Sequence, residues 1–269
     1  MPEREVGTGY EKMNEKRDIG YASVYEGTAA NMSMIGDGEV DLVLSSPPYF
    51  SKDTEELLKQ PVSKQLHLDQ VQNEITSFAM TLRPAFKEIS RILRPGGALV
   101  LQTKDIRYGG FLMPLVDTHC ELALHMGLRL VSRLYWLPTP GNQKRRPGFA
   151  QSPRKGTFRT HDVETFLIMS HSDGIRRGKK MDFGEIDIEE WVFPVWRCNA
   201  NQKKGRHPHG SPQSVIRRFI ELFTEPGDLV VDPFCGFGTT LEEAASMSRH
   251  AIGYDVDHSC VVETEARIQ

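Results

Sequence analysis

The sequence predicts an α/β protein with a mostly parallel sheet covered by helices on both faces. Short apolar strand-like runs alternate with segments of helical periodicity along the chain. Two of these runs, Val40–Leu44 and Val230–Asp232, lead into tight turns rich in proline or glycine. Open α/β sheets bind ligands at such strand ends, so the two turns are the first candidates for a functional site.

The length fits one large domain or one domain that carries a sizeable insertion. The chain has 269 residues, of which 39% are hydrophobic and 26% charged, and its net charge is −3. No apolar run approaches the roughly 20 residues of a membrane helix, and the N-terminal residues 1–18 lack a signal-peptide pattern. The four cysteines form no CxxC pair, which indicates a reducing cytoplasm and predicts neither disulfides nor a metal site.

In the first part of the chain, a polar flexible leader over residues 1–20 precedes the first strand. A long helix is predicted over Val71–Leu93, because apolar residues recur there at helical spacing until Arg94–Gly97 stops it. A helix-like segment is also expected between the first two strands. The other elements expected here are the strands Tyr21–Tyr25, Asp41–Leu44, Ala98–Gln102, Leu128–Trp136 and Val163–Met169, and the helix Leu112–Met126.

Residues 171–206 break this rhythm with charge runs and isolated aromatic residues. Order resumes near Pro212, and strands again alternate with helices to the C-terminus. The expected elements are the helices Pro212–Phe223, Thr239–Met247 and Asp257–Ile268, and the strands Leu229–Val231 and Ala251–Tyr254.

The glycine-rich turn Asp232–Thr240 has the properties of a ligand-binding loop. Its glycines permit positive φ and leave room for a ligand over the backbone, and the following helix offers free N–H groups to an anion. A phosphate-binding P-loop is excluded because no lysine follows Gly238. A dinucleotide fingerprint is disfavoured because Leu241 stands where a small residue is needed. The alternative is a tight turn that binds nothing.

The second turn is Ser46–Tyr49. It offers hydrogen-bond acceptors and, in Tyr49 or Phe50, a ring for stacking, while its prolines fix φ and remove competing donors. Such a turn can also be purely structural. A third feature is a basic run without acidic residues, which suits a phosphate backbone or, alternatively, a solvated loop face. Its basic residues are Lys144, Arg145, Arg146, Arg154, Lys155 and Arg159.

On these motifs, the chain resembles the DNA amino-methyltransferases of the circularly permuted (β) group. In that group a Ser/Asp/Asn-Pro-Pro-Tyr motif precedes the DNA-contacting region, and the glycine turn comes last. The resemblance extends over nearly the whole chain and includes Arg94–Gly97, Pro208–Leu222 and Gly253–Asp255.

The resemblance implies a class I methyltransferase-like, doubly wound sheet of seven mostly parallel strands in one domain, residues 21–269. Circular permutation then places the first strand, Tyr21–Tyr25, beside the last, Ala251–Tyr254. A small DNA-recognition insertion is expected over about residues 138–206, with double-stranded DNA as partner. In or next to this region, Trp136, Trp191 and Trp196 are expected to be wedges or stacking rings for DNA, with a place in the core as the alternative. His207 and His209 are a weaker candidate for a metal-binding pair.

The implied activity is site-specific methyl transfer from S-adenosylmethionine to an exocyclic base amine, in a cytoplasmic, nucleoid-associated enzyme. The catalytic residues are expected to be Ser46, Pro47, Pro48 and Tyr49. The cofactor-binding residues are expected to be Thr28, Ser45, Asp232, Pro233, Phe234, Gly236, Gly238, Thr239, Thr240 and Asp255. The six basic residues given above are expected to bind DNA.

Serine at the first motif position favours cytosine N4 as the methyl acceptor, with adenine N6 as the alternative. A catalytically silent DNA-binding subunit is the alternative from another class. The chain departs from the family at Thr28, where members usually carry an aspartate that contacts the cofactor's adenine. The sequence leaves open a cognate restriction endonuclease, a homodimer and the recognition sequence.

Overall fold

The structure, a computed structural model, describes residues 20–49, 65–108, 111–138, 163–171, 174–175, 193–198 and 212–269. The strands are β1 Ala22–Glu26, β2 Val40–Ser45, β3 Leu93–Thr103, β4 Ile106–Tyr108, β5 Phe111–Met113, β6 Arg129–Pro138, β7 Glu164–Ser170, β8 Val195–Cys198, β9 Leu229–Asp232 and β10 His250–Asp255. The helices are α1 Gln65–Thr81, α2 Arg83–Ile92, α3 Leu115–His125, α4 Gln213–Phe223, α5 Thr239–Ser246 and α6 His258–Ile268.

The main sheet has the strand order β1-β10-β9-β2-β3-β7-β6-β8. Among these described strands only β7 runs against its neighbours, which confirms the mostly parallel α/β fold. The predicted pairing of the first and last strands is also confirmed, since β1 and β10 are parallel from Ala22 opposite Ala251 to Glu26 opposite Asp255.

The expected strand number is corrected. Seven strands were predicted, whereas the described part of the main sheet contains eight. The additional strand is β8, which pairs with β6 at the edge, inside the segment whose rhythm looked broken. Its sequence, Val-Trp-Arg-Cys, includes an arginine and follows Pro194, so no apolar run marked it as a strand.

Two helix predictions are also corrected. The segment Val71–Leu93 forms two helices, α1 and α2, because Pro84 lacks an N–H and suits the first turn of a new helix. The run Arg94–Gly97 then lies within β3. Between β1 and β2 the chain forms turns, where the Thr28 hydroxyl and the Glu39 carboxylate accept local backbone N–H groups that a helix would use.

Alternate side chains of the sheet enter two cores, one on each face. Helices α1, α2 and α3 cover one face, where Phe86 and Ile89 pack with Val43 of β2. Helices α4, α5 and α6 cover the other, where Phe219 and Leu241 pack with the neighbouring sheet residues. The sheet is therefore held between two helical layers, which leaves the strand ends as the places where a ligand can reach the backbone.

Within the described ranges, no helix has both the length and the apolar character needed to cross a membrane. The same ranges hold no cluster of three or more His, Cys, Asp or Glu side chains suited to a metal ion.

Candidate active site

The centre of the sheet brings the two turns together. Strands β9 and β2 pair in parallel, with Leu42 opposite Val230 and Val43 opposite Val231, so their carboxyl ends lie side by side. From β9 the chain crosses to β10 on one side, and from β2 it crosses to β3 on the other. This divergence is a topological switch point, where a crevice opens in α/β sheets. The sequence predicted that the two turns are neighbours, and the structure confirms it.

A buried hydrogen bond joins the last residues of β2 and β9, the strands that lead into the two turns. The Ser45 hydroxyl donates to Oδ1 of Asp232 over 2.6 Å, although the two residues are 187 positions apart. The Phe234 N–H donates to the same oxygen over 3.2 Å. Burial raises the pKa of Asp232 from its ordinary 3.8 to about 6, although hydrogen bonds from Ser45 and Thr240 partly oppose the rise.

The two glycines of the turn Asp232–Thr240 serve different purposes. Both have positive φ, 51° at Gly236 and 72° at Gly238. A Cβ atom at Gly236 would meet nothing within 4 Å, so this glycine leaves an open backbone surface. A Cβ atom at Gly238 would instead collide with the side chain of Thr264. Gly236 therefore suits a ligand, whereas Gly238 suits close packing against α6.

Asp255 closes the far side of this turn. Its Oδ2 accepts the Gly236 N–H over 2.8 Å, and its Oδ1 accepts the Asp257 N–H over 2.9 Å. These bonds use two of about four lone-pair sites of the carboxylate. Thr28 lies just beyond, because the Gly27 N–H donates to the Asp255 carbonyl over 2.9 Å. The Thr28 side chain is exposed and its hydroxyl accepts the Ala30 N–H over 3.2 Å.

The turn Ser46–Tyr49 follows β2 immediately. Ser46 and Tyr49 are half-buried, Pro47 is buried and Pro48 is exposed. Tyr49 packs against a small apolar cluster that includes Val71 and Ile75 of α1. This cluster supports one side of the ring and so fixes where it stands relative to the Ser46 hydroxyl, 3.5 Å from the Tyr49 oxygen.

Two charged residues that the sequence analysis missed complete this corner. The Tyr49 hydroxyl donates to Oε2 of Glu164 over 3.1 Å. Oε1 of Glu164 accepts from Nζ of Lys104 over 2.8 Å, and Nζ lies 5.3 Å from the centre of the Tyr49 ring. Lys104 lies just past the predicted strand Ala98–Gln102, and this position was a usable signal. Glu164 is 115 positions from Tyr49 and gave none.

The remaining predicted residues divide into three groups. Pro233 and Thr240 are buried and Phe234 and Thr239 half-buried, all in the turn or at the start of α5. Trp136 and Trp196 are core residues. Outside the described residues lie the predicted DNA contacts Lys144, Arg145, Arg146, Arg154, Lys155 and Arg159, and also Phe50, Trp191, His207 and His209.

Comparison with known proteins decides the family. The family model for N6/N4 DNA methylases matches residues 40–265, which include both turns. The chain belongs to this family. It is 26% identical to the type II methyltransferase M.MjaI of Methanocaldococcus jannaschii, over 90% of this chain and 89% of that protein. It is 25% identical to the type II methyltransferase M.MthZI of Methanothermobacter thermautotrophicus, over 91% and 76%.

Solved structures share the fold. The cytosine-N4-specific PvuII DNA methyltransferase superposes with a TM-score of 0.69 at 20% identity, covering 94% of this chain and 88% of that one. TTHA0409 of Thermus thermophilus superposes with a TM-score of 0.68 at 23% identity, covering 93% and 94%. TTHA0409 has also been solved in complex with S-adenosyl-L-methionine.

Proposed function

We propose that this DNA methyltransferase uses S-adenosylmethionine to methylate the exocyclic N4 amine of a cytosine flipped out of double-stranded DNA. The observation that carries the proposal is the hydrogen bond from Ser45 to Asp232. It places the serine-proline turn (residues 46–49) and the glycine turn (residues 232–240) beside one crevice, where a methyl donor and a base can meet.

The glycine turn fits the cofactor. Gly236 presents open backbone, and two carboxylates, Asp232 and Asp255, stand at the ends of the adjacent strands β9 and β10. We assign Asp232 to the cofactor's ammonium group and Asp255 to its ribose hydroxyls, which are donors that a carboxylate accepts. Thr239 and Thr240 open α5, whose N-terminus favours a carboxylate. When bound, S-adenosylmethionine supplies an electrophilic methyl group.

The serine-proline turn fits the amine of a base. Such an amine is a poor nucleophile because its lone pair is delocalised into the ring. The Ser46 hydroxyl and the Pro47 carbonyl can accept its two N–H groups, which favours tetrahedral nitrogen and turns the lone pair outward. Stacking on Tyr49 is worth about 1–3 kcal/mol per base. It offsets part of the few kcal/mol spent on flipping the base out of the duplex.

Chain order and motif support the finer assignments. The serine-proline turn precedes the glycine turn, and β1 pairs with β10, as the circularly permuted group requires. Serine at position 46 favours cytosine N4 over adenine N6, and a fold neighbour, the PvuII enzyme, is cytosine-N4-specific.

The test is to incubate DNA of mixed sequence with the protein and labelled cofactor, digest it to nucleosides and identify the labelled one. We expect N4-methylcytosine. Label in N6-methyladenine would overturn the base assignment while leaving the enzyme class intact. No labelled nucleoside from a folded, cofactor-binding protein would favour the silent DNA-binding subunit.

We also propose that the basic run contacts the DNA backbone. Replacing Arg145 and Arg146 together with glutamine should weaken DNA binding and reduce the slope of log affinity against log salt by about 1.8, for two lost phosphate contacts. Binding measured by fluorescence anisotropy at several salt concentrations gives this slope. An unchanged slope would remove these two arginines from the interface.

A further inference from the structure

The Tyr49 hydroxyl stands between a carboxylate and the proposed amine acceptor. Its oxygen is 3.1 Å from Oε2 of Glu164 and 3.5 Å from Oγ of Ser46. On its other side the Glu164 carboxylate is paired with Lys104 over 2.8 Å. These contacts therefore link four side chains in series, from Lys104 through Glu164 and Tyr49 to Ser46.

The ion pair at one end of this series sets which group donates in each of the hydrogen bonds. A lysine ammonium only donates, and a carboxylate paired with it only accepts. Tyr49 has one proton, which it must give to Glu164. The tyrosine oxygen is then left as an acceptor, so Ser46 is the donor in the contact between the two hydroxyls, and with its proton toward Tyr49 the lone pairs of Ser46 Oγ face away from that residue.

We propose that Glu164 is a positioning residue that acts through Tyr49 to hold Ser46 as a hydrogen-bond acceptor for the amine of the target base. The inference rests on the proposed function, because it adds to that site a group that never touches the substrate. If the hydrogen bonds did not run in this direction, the Ser46 hydroxyl would be free to turn its proton toward the amine. The amine already presents two N–H donors, so the facing protons would repel each other.

The surroundings favour a fixed orientation. Lys104 and Glu164 lie next to Thr103 of β3 and Thr165 of β7, which pair directly in the sheet, so both are held on rigid elements. The Glu164 side chain is only 13% exposed. Burial, with a further contribution from the Glu164 carboxylate, raises the pKa of Tyr49 above its usual range, which keeps the phenol protonated and able to donate.

The substitution Glu164→Gln tests the direction of these hydrogen bonds, because glutamine has nearly the same shape as glutamate but carries an NH₂ donor. Lys104 can only donate, so it retains the amide oxygen, and the amide NH₂ then faces Tyr49 and donates to it. Tyr49 must now give its own proton to Ser46, so the Ser46 proton turns away from Tyr49 and takes one of the two positions from which Oγ would accept the amine. We expect kcat to fall about 10- to 100-fold, the range of a lost hydrogen bond to a charged group. The cofactor Kd and the Tm should stay within about twofold and a few degrees of the wild type.

The double variant separates this mechanism from a structural ion pair. Tyr49→Phe removes the hydroxyl that links Glu164 to Ser46. The Ser46 hydroxyl is then free to rotate, but nothing forces its proton toward the amine. We therefore expect kcat to fall less than in Glu164→Gln. Adding Glu164→Gln to Tyr49→Phe should then change kcat by less than about twofold, because Glu164 acts only through the tyrosine oxygen. Glu88→Gln is the matched control, since Glu88 pairs with Arg91 over 2.8 Å and contacts none of the site residues described above. It should leave kcat unchanged.

Three results are informative against the proposal. An active wild type with an equally active Glu164→Gln variant refutes the inference and leaves the proposed function intact. The same fold-loss from Glu164→Gln in the wild-type and the Tyr49→Phe backgrounds also refutes it, because Glu164 would then act independently of the tyrosine hydroxyl. A wild type that binds the cofactor but methylates no DNA refutes the proposed function, and the inference with it.

Discussion

The glycine corner (residues 232–240 with Asp255) and the proline corner (residues 45–49 with Lys104 and Glu164) meet in one crevice but are built differently. The glycine corner is held by nearby chain, because Asp255, Asp257 and Thr264 all lie within about 30 positions of the glycine turn. The proline corner is held by side chains from distant strands, Asp232 on β9 and Glu164 on β7.

This difference separates two ways of making a site. A corner formed by residues that are close in the sequence takes its shape from the backbone. Its main requirements are therefore glycines that adopt positive φ and carboxylates that accept backbone N–H groups. A corner assembled from distant strands is shaped by side-chain hydrogen bonds, so its requirements are polarity and orientation. Variants of the first should lose binding or stability, whereas variants of the second should lose turnover.

The largest expected effect is at the proline corner. Ser46→Ala removes the proposed acceptor for the amine and should lower kcat about 100-fold or more, as for other preorganised polar groups at a reacting centre. The cofactor Kd should stay within about threefold of the wild type, because the glycine corner is intact. Single-turnover methylation and calorimetric titration measure the two quantities. Ser23→Ala in β1 is the control, and parity of kcat between the two variants would contradict the assigned role.

The glycine corner should respond in the opposite way. Gly127, Gly236 and Gly238 all have positive φ, so alanine at each costs about 1–2 kcal/mol in backbone strain. Gly127→Ala meets nothing else and isolates that cost, whereas Gly238→Ala also collides with Thr264 and should have the lowest Tm of the three variants. Gly236→Ala should match Gly127→Ala in Tm but lose cofactor affinity. Equal cofactor affinity in the Gly127 and Gly236 variants would mean that the open backbone is not the binding surface.

A smaller effect concerns the residue shared by both corners. Because the pKa of Asp232 is raised to about 6, its contribution to the stability of the free protein is full below about pH 3.8 and is lost as the pH rises through 6. A cofactor ammonium beside Asp232 favours the ionised carboxylate, so binding releases a proton at low pH. Cofactor affinity should therefore fall by up to about tenfold per pH unit below 6. Calorimetry in buffers of different ionisation enthalpy measures the released proton. The same pH slope in Asp232→Asn would exclude this residue as the source.

The smallest effect is expected at Thr28, on the outer side of the glycine corner. Its hydroxyl is exposed and already accepts the Ala30 N–H, so Thr28→Ala should change cofactor affinity about threefold or less. Thr28→Asp, which restores the family's usual aspartate, should raise the affinity by offering an acceptor to the adenine amine. A large loss in Thr28→Ala would show that this hydroxyl reaches the cofactor.

The sequence predicted the features of the site that depend on where the strands end. The turn Asp232–Thr240 was evident because its glycines and carboxylate are contiguous, and its proximity to Ser45 followed from both lying at the ends of apolar runs. Pairing of the first and last strands followed from the family resemblance. These features need only the direction of parallel strands and the crossing rules of the sheet.

What the sequence did not predict depends on packing between distant segments. Glu164 opens a strand with no local sign that its carboxylate faces Tyr49, and β8 lacks the apolar run that marked the other strands. The division of Val71–Leu93 into α1 and α2 had a local signal, Pro84, but the continuous apolar periodicity outweighed it. In each case side-chain contacts or a single proline decided what the periodic pattern left undetermined.

The position of β2 has a consequence for synthesis of the chain. All six residues of β2 are buried, and its neighbour β9 begins at residue 229, far along the chain from β2. A ribosome-bound fragment would expose this strand edge until β9 emerges, and β1 likewise waits for β10. Such long-range strand pairing is slow and prone to aggregation. The nascent polypeptide should therefore benefit from chaperones that shield an unpaired edge until its partner strand has emerged.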